Sequence, residues 1–345
     1  MKNISNGHFW VALAAVLAAA GLCIQVGAAP WPSFYGEWIF SIIFALVAVA
    51  ALAKYQEPFR ISITPVALLL VLAAALLTQI KSQSSLFFGA YALNAIYVCG
   101  FGLVFLLTSS QGGAQKTIIN FVFGYFIAAG FLSLTVQLLQ LSGFYLNLLP
   151  YQAWRLSATL GQPNVLATFF IMAIAATIYF WEFLNKKVGI IVISGFIFGI
   201  CLAQSRSGIF NLILGSFLFF LFHQKNMRNF MLVMGFVVCA WFLSFFLLQA
   251  NVALNPINSV QDLGYGAGRL EIWGMGIKAI TQKPWLGYGL GNISFIQYEG
   301  LSFLPGRAVL AYSHNIFIDL ILWFGLLFSI PITLLLTYVL LMSFK

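Results

Sequence analysis

The sequence predicts an all-α, polytopic membrane protein with about ten transmembrane helices and one long outer loop that carries an interfacial helix. Of the 345 residues, 62% are hydrophobic and only 7% are charged, whereas charged residues make up about a quarter of a soluble globular domain. The apolar residues are grouped in long runs, most of them close to the roughly 20 residues that a helix needs to cross a bilayer core. Together these observations exclude a soluble fold.

The apolar runs place the predicted spans along the chain. They lie near residues 9–27, 37–53, 62–80, 86–107, 117–141, 165–184, 188–204, 208–223, 229–250 and 314–343. The seventh and eighth are short and meet at the sequence SRSG (205–208), so we expect a hairpin that does not fully cross the bilayer. No repeat or low-complexity linker divides the chain, which predicts one helical membrane domain over residues 1–345, with the long loop at 251–313.

The basic residues predict the orientation of the chain and the charge of its ligand. With the amino terminus inside, nine of the 16 lysines and arginines fall in short cytoplasmic loops and seven in longer outer ones, as the positive-inside rule favours. Lysine predominates on the inner side, but four of the seven outer residues are arginine, whose planar guanidinium suits bidentate phosphate contacts. The outer face is therefore predicted to bind an anion. Because the basic residues are scattered between apolar runs, no nucleic-acid partner is predicted.

Arg206 lies between two hydrophobic runs, beside Ser205 and Ser207. An arginine at lipid depth costs about 2.5 to 3.5 kcal/mol on insertion scales. One interpretation is an arginine at a helix end whose charged group reaches the interface. The other is a tight turn in which the hydroxyl groups of Ser205 and Ser207 converge with the guanidinium on one anion.

The long outer loop contains an apolar stripe at helical spacing, which predicts an interfacial helix over residues 268–283. The stripe consists of Leu270, Trp273, Ile277 and Ile280. Arg269 opens this helix, either as a solvated interfacial charge or as a second anion ligand, and Pro284 closes it. The following GYGLG (287–291) lacks the spacing of a phosphate-binding loop and predicts a tight turn.

His314 enters the last apolar run and is followed by Asn315. It is the only histidine on the predicted outer side, and a neutral imidazole can accept a proton from a hydroxyl nucleophile, so it is the candidate general base. The alternative is a histidine hydrogen-bonded among helix ends. Asp319, five residues later on the same predicted helix, is not at a spacing suited to orient His314.

Two amides flank Pro163 where the sixth span begins, Gln162 and Asn164. They either cap this helix, which Pro163 starts in the usual way, or bind a sugar or an acceptor backbone. Arg155 adds an outward positive charge nearby. Neither the cysteines and histidines nor the seven dispersed acidic residues have metal-ligand spacing, so no metal site is predicted.

Three ordered segments resemble the bacterial O-antigen ligase superfamily, which comprises O-antigen ligases, O-antigen polymerases and protein O-oligosaccharyltransferases. They are SRSG (205–208), GRLEIWGMGIKAITQKPWLGYGLG (268–291) and YSHNIFIDLILWFG (312–325). A fourth segment, GQPNVLAT (161–168), is similar to the protein-glycosylating branch. Because the spans usually continue beyond this point in the family, the carboxy-terminal part of the family fold is predicted to be absent.

The resemblance implies a metal- and cofactor-independent glycosyltransferase of the bacterial inner membrane whose active site faces the periplasm. It implies transfer of a preassembled glycan from undecaprenyl pyrophosphate to a hydroxyl of a pilin-like protein. Arg206 and Arg269 resemble the arginines that bind the pyrophosphate, and His314 resembles the essential histidine. Ser205, Ser207, Gln162, Asn164, Arg155, Trp273 and Asn315 are the accompanying candidates for substrate binding.

Two other functions stay open from the sequence. The acceptor of a related enzyme is lipid A-core for an O-antigen ligase, or a growing glycan for a polymerase. A transporter of the lipid-linked sugar would use the same arginines, but it would place charges near the bilayer midplane along a path. The clustering of the candidate residues on one predicted face favours an enzyme.

Overall fold

The computed structural model describes residues 6–23, 34–55, 60–61, 63–79, 88–108, 110–111, 113–142, 156–222, 227–250, 265–290, 296, 313 and 315–342. Within these ranges the protein is helical apart from turns and one antiparallel pair of two-residue strands, β1 (Arg60–Ile61) and β2 (Ser110–Gln111). The long helices are α1 (Asn6–Ala20), α2 (Phe34–Lys54), α3 (Ile63–Gln79), α4 (Phe88–Thr108), α5 (Gly113–Leu141), α6 (Pro163–Tyr179), α7 (Lys186–Leu202), α8 (Arg206–Phe222), α9 (Met227–Ala250), α10 (Tyr265–Gln282) and α11 (Ile316–Met342). Each predicted span overlaps one of these helices over most of its length, and α10 lies in the predicted outer loop. The all-α membrane fold is thereby confirmed.

The helices differ in their capacity to cross a bilayer. Among the described residues, α2, α5, α9 and α11 are long and apolar enough to do so. The predicted hairpin corresponds to α7 and α8, which have 17 residues each. At 1.5 Å per residue each is about 25 Å long, slightly short of a typical hydrocarbon core of about 30 Å. The total of ten crossings stays a prediction.

The chain divides into two compact units that interleave along the sequence. The first comprises Met1–Glu57 and Gly113–Ser259, and the second comprises Pro58–Gly112 and Val260–Lys345. The chain therefore leaves the first unit after α2, forms α3 and α4 of the second, and returns at α5. The single domain expected from the sequence stays a prediction.

The core of the first unit is built where α5, α6 and α7 pack together. Phe170 and Phe196 are fully buried there and stack with ring centroids 5.8 Å apart. Gly199 permits this approach, because a Cβ at that position would lie 2.7 Å from the Phe170 ring. Gly130 does the same for Phe196, whose ring would be 2.9 Å from an added Cβ.

A row of buried polar side chains on α5 holds a buried turn of the first unit. Ser133, Gln137 and Gln140 are spaced so that they lie on one helix face, and each is at most 3% exposed. Gln140 Oε1 accepts the backbone N–H of Ala158 at 3.0 Å, and Ser133 Oγ is hydrogen-bonded to Thr159 Oγ1 at 2.7 Å. Gln137 Nε2 donates to a backbone carbonyl of α7 at 3.0 Å. These bonds compensate for the desolvation of a turn that carries no regular ladder.

In the second unit, α11 is broken at Gly325, where the backbone leaves the helical region (φ 65°, ψ 175°). The break leaves carbonyl groups without their intrahelical donors. The segment after α10 replaces them: the N–H of Tyr288 donates to Leu322 O at 2.7 Å, and the N–H of Gly289 donates to Trp323 O at 3.1 Å. The described part of GYGLG, residues 287–290, is therefore a non-helical segment whose function in the fold is to pair with the broken helix.

The same contact satisfies the donors on the other side of the break. The N–H groups of Leu326 and Leu327 donate to the carbonyls of Pro284 and Trp285 at 2.8 and 3.2 Å. A membrane helix tolerates such a break only where the backbone groups that it frees find new partners. This exchange of four hydrogen bonds meets that requirement and links the end of α10 to the middle of α11.

Gln79, the last residue of α3, completes this arrangement. Its side chain is 2% exposed, and its Nε2 donates to the carbonyls of Leu286 and Trp323. One acceptor lies in the turn after α10 and the other just before the break in α11. A single amide of α3 therefore joins the two segments that the break brings together.

Candidate functional site

Arg206 is the first residue of α8, and its side chain is exposed. Ser205 precedes it and is fully buried. Ser205 Oγ accepts the backbone N–H of Gly208 at 3.1 Å, which makes it the N-cap of α8. A helix N-terminus carries a partial positive charge, so Arg206 adds a full charge at the end of α8 that already favours anions.

The turn that precedes Arg206 is anchored by two other helices. Ser205 Oγ donates to Asn164 Oδ1 of α6 at 2.9 Å. Gln204 Nε2 donates to Ser244 Oγ of α9 at 3.2 Å. Gln204 has a positive φ of 49°, which is uncommon for a residue other than glycine and persists where surrounding contacts impose it. The residues around Arg206 are therefore held in one conformation.

The structure brings three of the predicted binding residues together, namely Ser205, Ser207 and Asn164. Ser205 Oγ lies 3.3 Å from Ser207 Oγ as well as 2.9 Å from Asn164 Oδ1. Ser207 is exposed, whereas the hydroxyl of Ser205 is taken up by contacts within the protein. We therefore assign Ser205 to the positioning of the turn and keep Ser207 as the candidate for ligand contact.

Of the two alternatives for Gln162, the structure excludes capping of α6 by its side chain, and binding of a sugar or an acceptor backbone stays a prediction. Gln162 occupies the N-cap position, but its side chain makes no capping hydrogen bond, and it is exposed. Pro163 at the first helical position is confirmed. The oxygen of Asn164 accepts from Ser205, 41 residues away in the chain. The GQPN segment and SRSG are thus joined directly.

The predicted interfacial helix corresponds to α10, which spans Tyr265–Gln282 and includes Arg269. Its apolar stripe is only partly exposed: Leu270 and Ile277 are 69% and 57% exposed, while Trp273 and Ile280 are half-buried. The buried face is a different one, and its members pack within the second unit. They are Ile272, Met275, Gly276 and Ala279.

Trp273 makes a specific polar contact that the sequence did not predict. Its indole Nε1 donates to Ser313 O at 3.1 Å. This carbonyl belongs to the peptide that leads into His314. Trp273 lies one turn after Arg269 in α10, so this helix carries both a predicted anion ligand and a residue that contacts the chain beside the predicted base.

Asn315 caps α11. Its Oδ1 accepts the N–H of Phe317 at 3.1 Å and the N–H of Ile318 at 3.4 Å. The Asn315 N–H in turn donates to Ser313 Oγ at 3.2 Å. Asn315 therefore has a structural function at the start of the helix, and a contact with substrate stays a prediction.

Asp319 is a residue that sequence reasoning set aside. Its side chain is 4% exposed, and its Oδ1 accepts the N–H of Ser313 at 2.9 Å. The contact is possible because α11 begins at Ile316, so Ser313 precedes the helix and the helical spacing does not apply. The signal available in the sequence was a carboxylate in the first turn of an otherwise apolar helix.

Several predicted residues lie outside the described ranges. They include His314, Arg155 and the loop segments 251–264, 291–295 and 297–312. Of Arg269, the structure gives the helical backbone position alone. Among the residues that the structure describes, no group of three or more histidine, cysteine, aspartate or glutamate side chains is placed to hold a metal ion.

The candidate residues belong to both units. Arg206, Ser205, Ser207, Gln162 and Asn164 lie in the first unit, and Arg269, Trp273 and Asn315 lie in the second. Within the first unit, hydrogen bonds connect the turn before Arg206 to α6 and α9. Within the second, a hydrogen bond connects α10 to Ser313, the residue before His314.

A family model described as O-antigen ligase matches residues 190–328. The matched segment contains Arg206, Arg269 and His314. The chain is 33% identical to the ComP-specific O-oligosaccharyltransferase of Acinetobacter baylyi over 188 residues, covering 52% of this chain and 34% of that protein. It is 26% identical to the General O-oligosaccharyltransferase of the same organism over 329 residues, covering 88% of this chain and 56% of that protein.

The chain is therefore similar to the O-antigen ligase family over residues 190–328. Both of these relatives are named O-oligosaccharyltransferases. The chain spans about a third of one relative's length and just over half of the other's. No solved structure matches it.

Proposed function

We propose that this protein is a glycosyltransferase of the O-antigen ligase superfamily that moves a preassembled glycan from undecaprenyl pyrophosphate to a hydroxyl of a periplasmic, pilin-like protein. The names of its relatives support transfer of an oligosaccharide. The single observation on which we rest the site is the exposed Arg206 at the N-terminus of α8, directly after a turn that the hydrogen bonds of Ser205 hold in place. The active site faces the periplasm at the inner membrane.

In the proposed reaction the acceptor oxygen forms a bond to the anomeric carbon while the bond from that carbon to the pyrophosphate oxygen breaks. The acceptor proton passes to the imidazole of His314. The bonding electrons leave with undecaprenyl pyrophosphate, whose negative charge increases as the bond breaks. Arg206 and Arg269 stabilise this charge, as preorganised cations do in a transition state. A single displacement of this kind inverts the anomeric centre and requires no metal or cofactor.

The acceptor can be identified with purified full-length protein. Lipid-linked oligosaccharide is incubated with a pilin-type protein, with lipid A-core, or with a second molecule of lipid-linked glycan, and the products are separated by mass. We expect transfer to the protein acceptor. Exclusive transfer to lipid A-core would identify an O-antigen ligase, and chain extension would identify a polymerase. Movement of the donor across vesicles without any transfer would instead indicate a transporter.

Replacing either arginine by lysine tests whether the phosphate contact is bidentate. We expect Arg206→Lys and Arg269→Lys each to lower transfer about 10- to 100-fold, because lysine keeps the charge but loses the fork of donors, and hydrogen bonds to charged groups contribute about 1.5 to 3 kcal/mol. The initial rate at several donor concentrations provides the measurement. Lys187→Arg at the exposed start of α7 serves as the control. Unchanged rates in both lysine variants would show that only the charge matters.

A further inference from the structure

Ser313, the residue immediately before His314, is fixed by hydrogen bonds to three residues: Asp319, Trp273 and Asn315. It is 1% exposed. Its N–H donates to Asp319 Oδ1 at 2.9 Å, and its carbonyl accepts the indole N–H of Trp273 at 3.1 Å. Its hydroxyl Oγ donates to Asn315 O at 3.1 Å. Every polar group of Ser313 therefore has a partner within the second unit.

These contacts hold Ser313 and Asn315, the two residues on either side of His314 in the sequence. The carbonyl of Ser313 accepts the indole N–H of Trp273. The N–H of Asn315 donates to Ser313 Oγ at 3.2 Å. Asn315 is itself fixed as the cap of α11. A segment outside the helix would otherwise be free to rotate about its backbone dihedrals, at an entropic cost when it is ordered for reaction.

The chemistry of the two partners suits this function. Asp319 is a buried carboxylate in the first turn of an apolar helix, and a buried charge is retained where hydrogen bonds compensate for its desolvation. Trp273 lies on α10, the helix that carries Arg269, and its ring is half-buried. Its contact therefore fixes the chain beside His314 relative to the helix of the proposed pyrophosphate ligand.

We propose that Asp319 and Trp273 are positioning residues that hold the backbone on both sides of His314, so that its imidazole meets the acceptor hydroxyl. This inference rests on the proposed function, in which His314 is the base. Neither residue contacts substrate. Their effect is on the rate of the transfer step rather than on binding of the lipid-linked donor, because they act only on the placement of the base.

A conservative variant of Trp273 tests the proposal with little change in packing. Trp273→Phe retains the ring and removes the indole N–H, and we expect kcat for transfer to fall about 10-fold with the KM for donor unchanged, since small misplacements of a catalytic group are costly. Trp285→Phe is the matched control: Trp285 lies in the same unit and is 67% exposed. It is expected to leave kcat and the thermal midpoint unchanged.

For Asp319, two variants distinguish the contribution of its hydrogen bond to kcat from the contribution of its charge. Asp319→Ala removes the acceptor of the Ser313 N–H, and we expect kcat to fall about 10- to 100-fold. Asp319→Asn retains an acceptor oxygen, and we expect it to recover most of that loss. Thermal midpoints in detergent are recorded for each variant, so that an effect of unfolding is recognised by a fall in folded protein rather than in kcat per folded molecule.

The outcomes distinguish failure of this inference from failure of the proposed function. If wild-type protein transfers glycan and His314→Ala abolishes transfer, but Trp273→Phe has wild-type kcat and Asp319→Ala loses only folded protein, the positioning function is refuted. A loss in Asp319→Asn as large as in Asp319→Ala would assign the effect to the charge and overturn the hydrogen-bond account. Absence of transfer by the wild-type protein with every acceptor would refute the proposed function itself.

Discussion

Replacing Gly325 by alanine is expected to prevent the second unit from folding. At φ 65° and ψ 175° an L-residue with a Cβ is strained by about 1 to 3 kcal/mol. The added Cβ would also overlap the carbonyl of Trp285, a backbone atom that cannot rotate away. If α11 straightened instead, the four hydrogen bonds with the segment after α10 would be lost, at about 0.5 to 1.5 kcal/mol each. Straightening would therefore cost about 2 to 6 kcal/mol, and keeping the break would add the overlap with Trp285 to the backbone strain.

The measurement is the yield of monodisperse protein in detergent and its thermal midpoint. Gly287→Ala should behave in the same way, because its φ is also positive and a Cβ would lie 2.6 Å from Leu322 O. Gly235→Ala in α9 is the control, since an added Cβ there has no atom within 4 Å, and alanine favours a helix over glycine by about 1 kcal/mol. A normal midpoint for Gly325→Ala would contradict the pairing between the broken helix and GYGLG.

Replacing His314 by alanine is expected to lower the rate of glycan transfer about 10²- to 10⁴-fold, the usual contribution of a general base. Binding of the lipid-linked donor should not change, because the pyrophosphate is assigned to the arginines. Single-turnover transfer and equilibrium binding of labelled donor separate the two effects. His8→Ala is the control, since His8 is an exposed histidine at the start of α1.

Added imidazole extends the test of His314. If the alanine variant lacks only a base, free imidazole at millimolar concentration is expected to restore part of the transfer rate, while it should leave the wild-type rate and the arginine variants unaffected. Turnover at the wild-type rate by His314→Ala would eliminate the general-base hypothesis. Loss of donor binding in that variant would assign the histidine to the donor site instead.

The positions of the helices were predictable because they depend on local signals. Apolar runs, lysines at their ends and Pro163 at the start of α6 mark their own boundaries in the sequence. The helix predicted over residues 268–283 is observed as Tyr265–Gln282, since Pro284 ends the helical pattern. The charged candidates Arg206 and Arg269 were also visible, because a guanidinium stands out among apolar neighbours.

The contacts between distant segments were not predictable in the same way. The break in α11 falls inside an apolar run without interruption, and only the partners supplied by residues 284–289 explain it. The bond from Ser205 to Asn164 joins residues 41 positions apart. The bond from the Ser313 N–H to Asp319 was not predicted, because the sequence reasoning considered Asp319 only in relation to His314. In each case the deciding partner is remote in sequence or follows a boundary that periodicity does not locate.

The bond network of Gln79 has a consequence for the order in which the protein is completed during synthesis. The amide and its two acceptor carbonyls are separated by 207 and 244 residues. A ribosome adds about 5 to 20 residues per second, so about 10 to 50 seconds pass between the synthesis of α3 and that of its partners. During this interval all the helices of the first unit after α2 are made. The second unit is therefore begun early and completed last. Until Leu286 and Trp323 have been synthesised, the side chain of Gln79 at the end of α3 lacks these acceptor carbonyls.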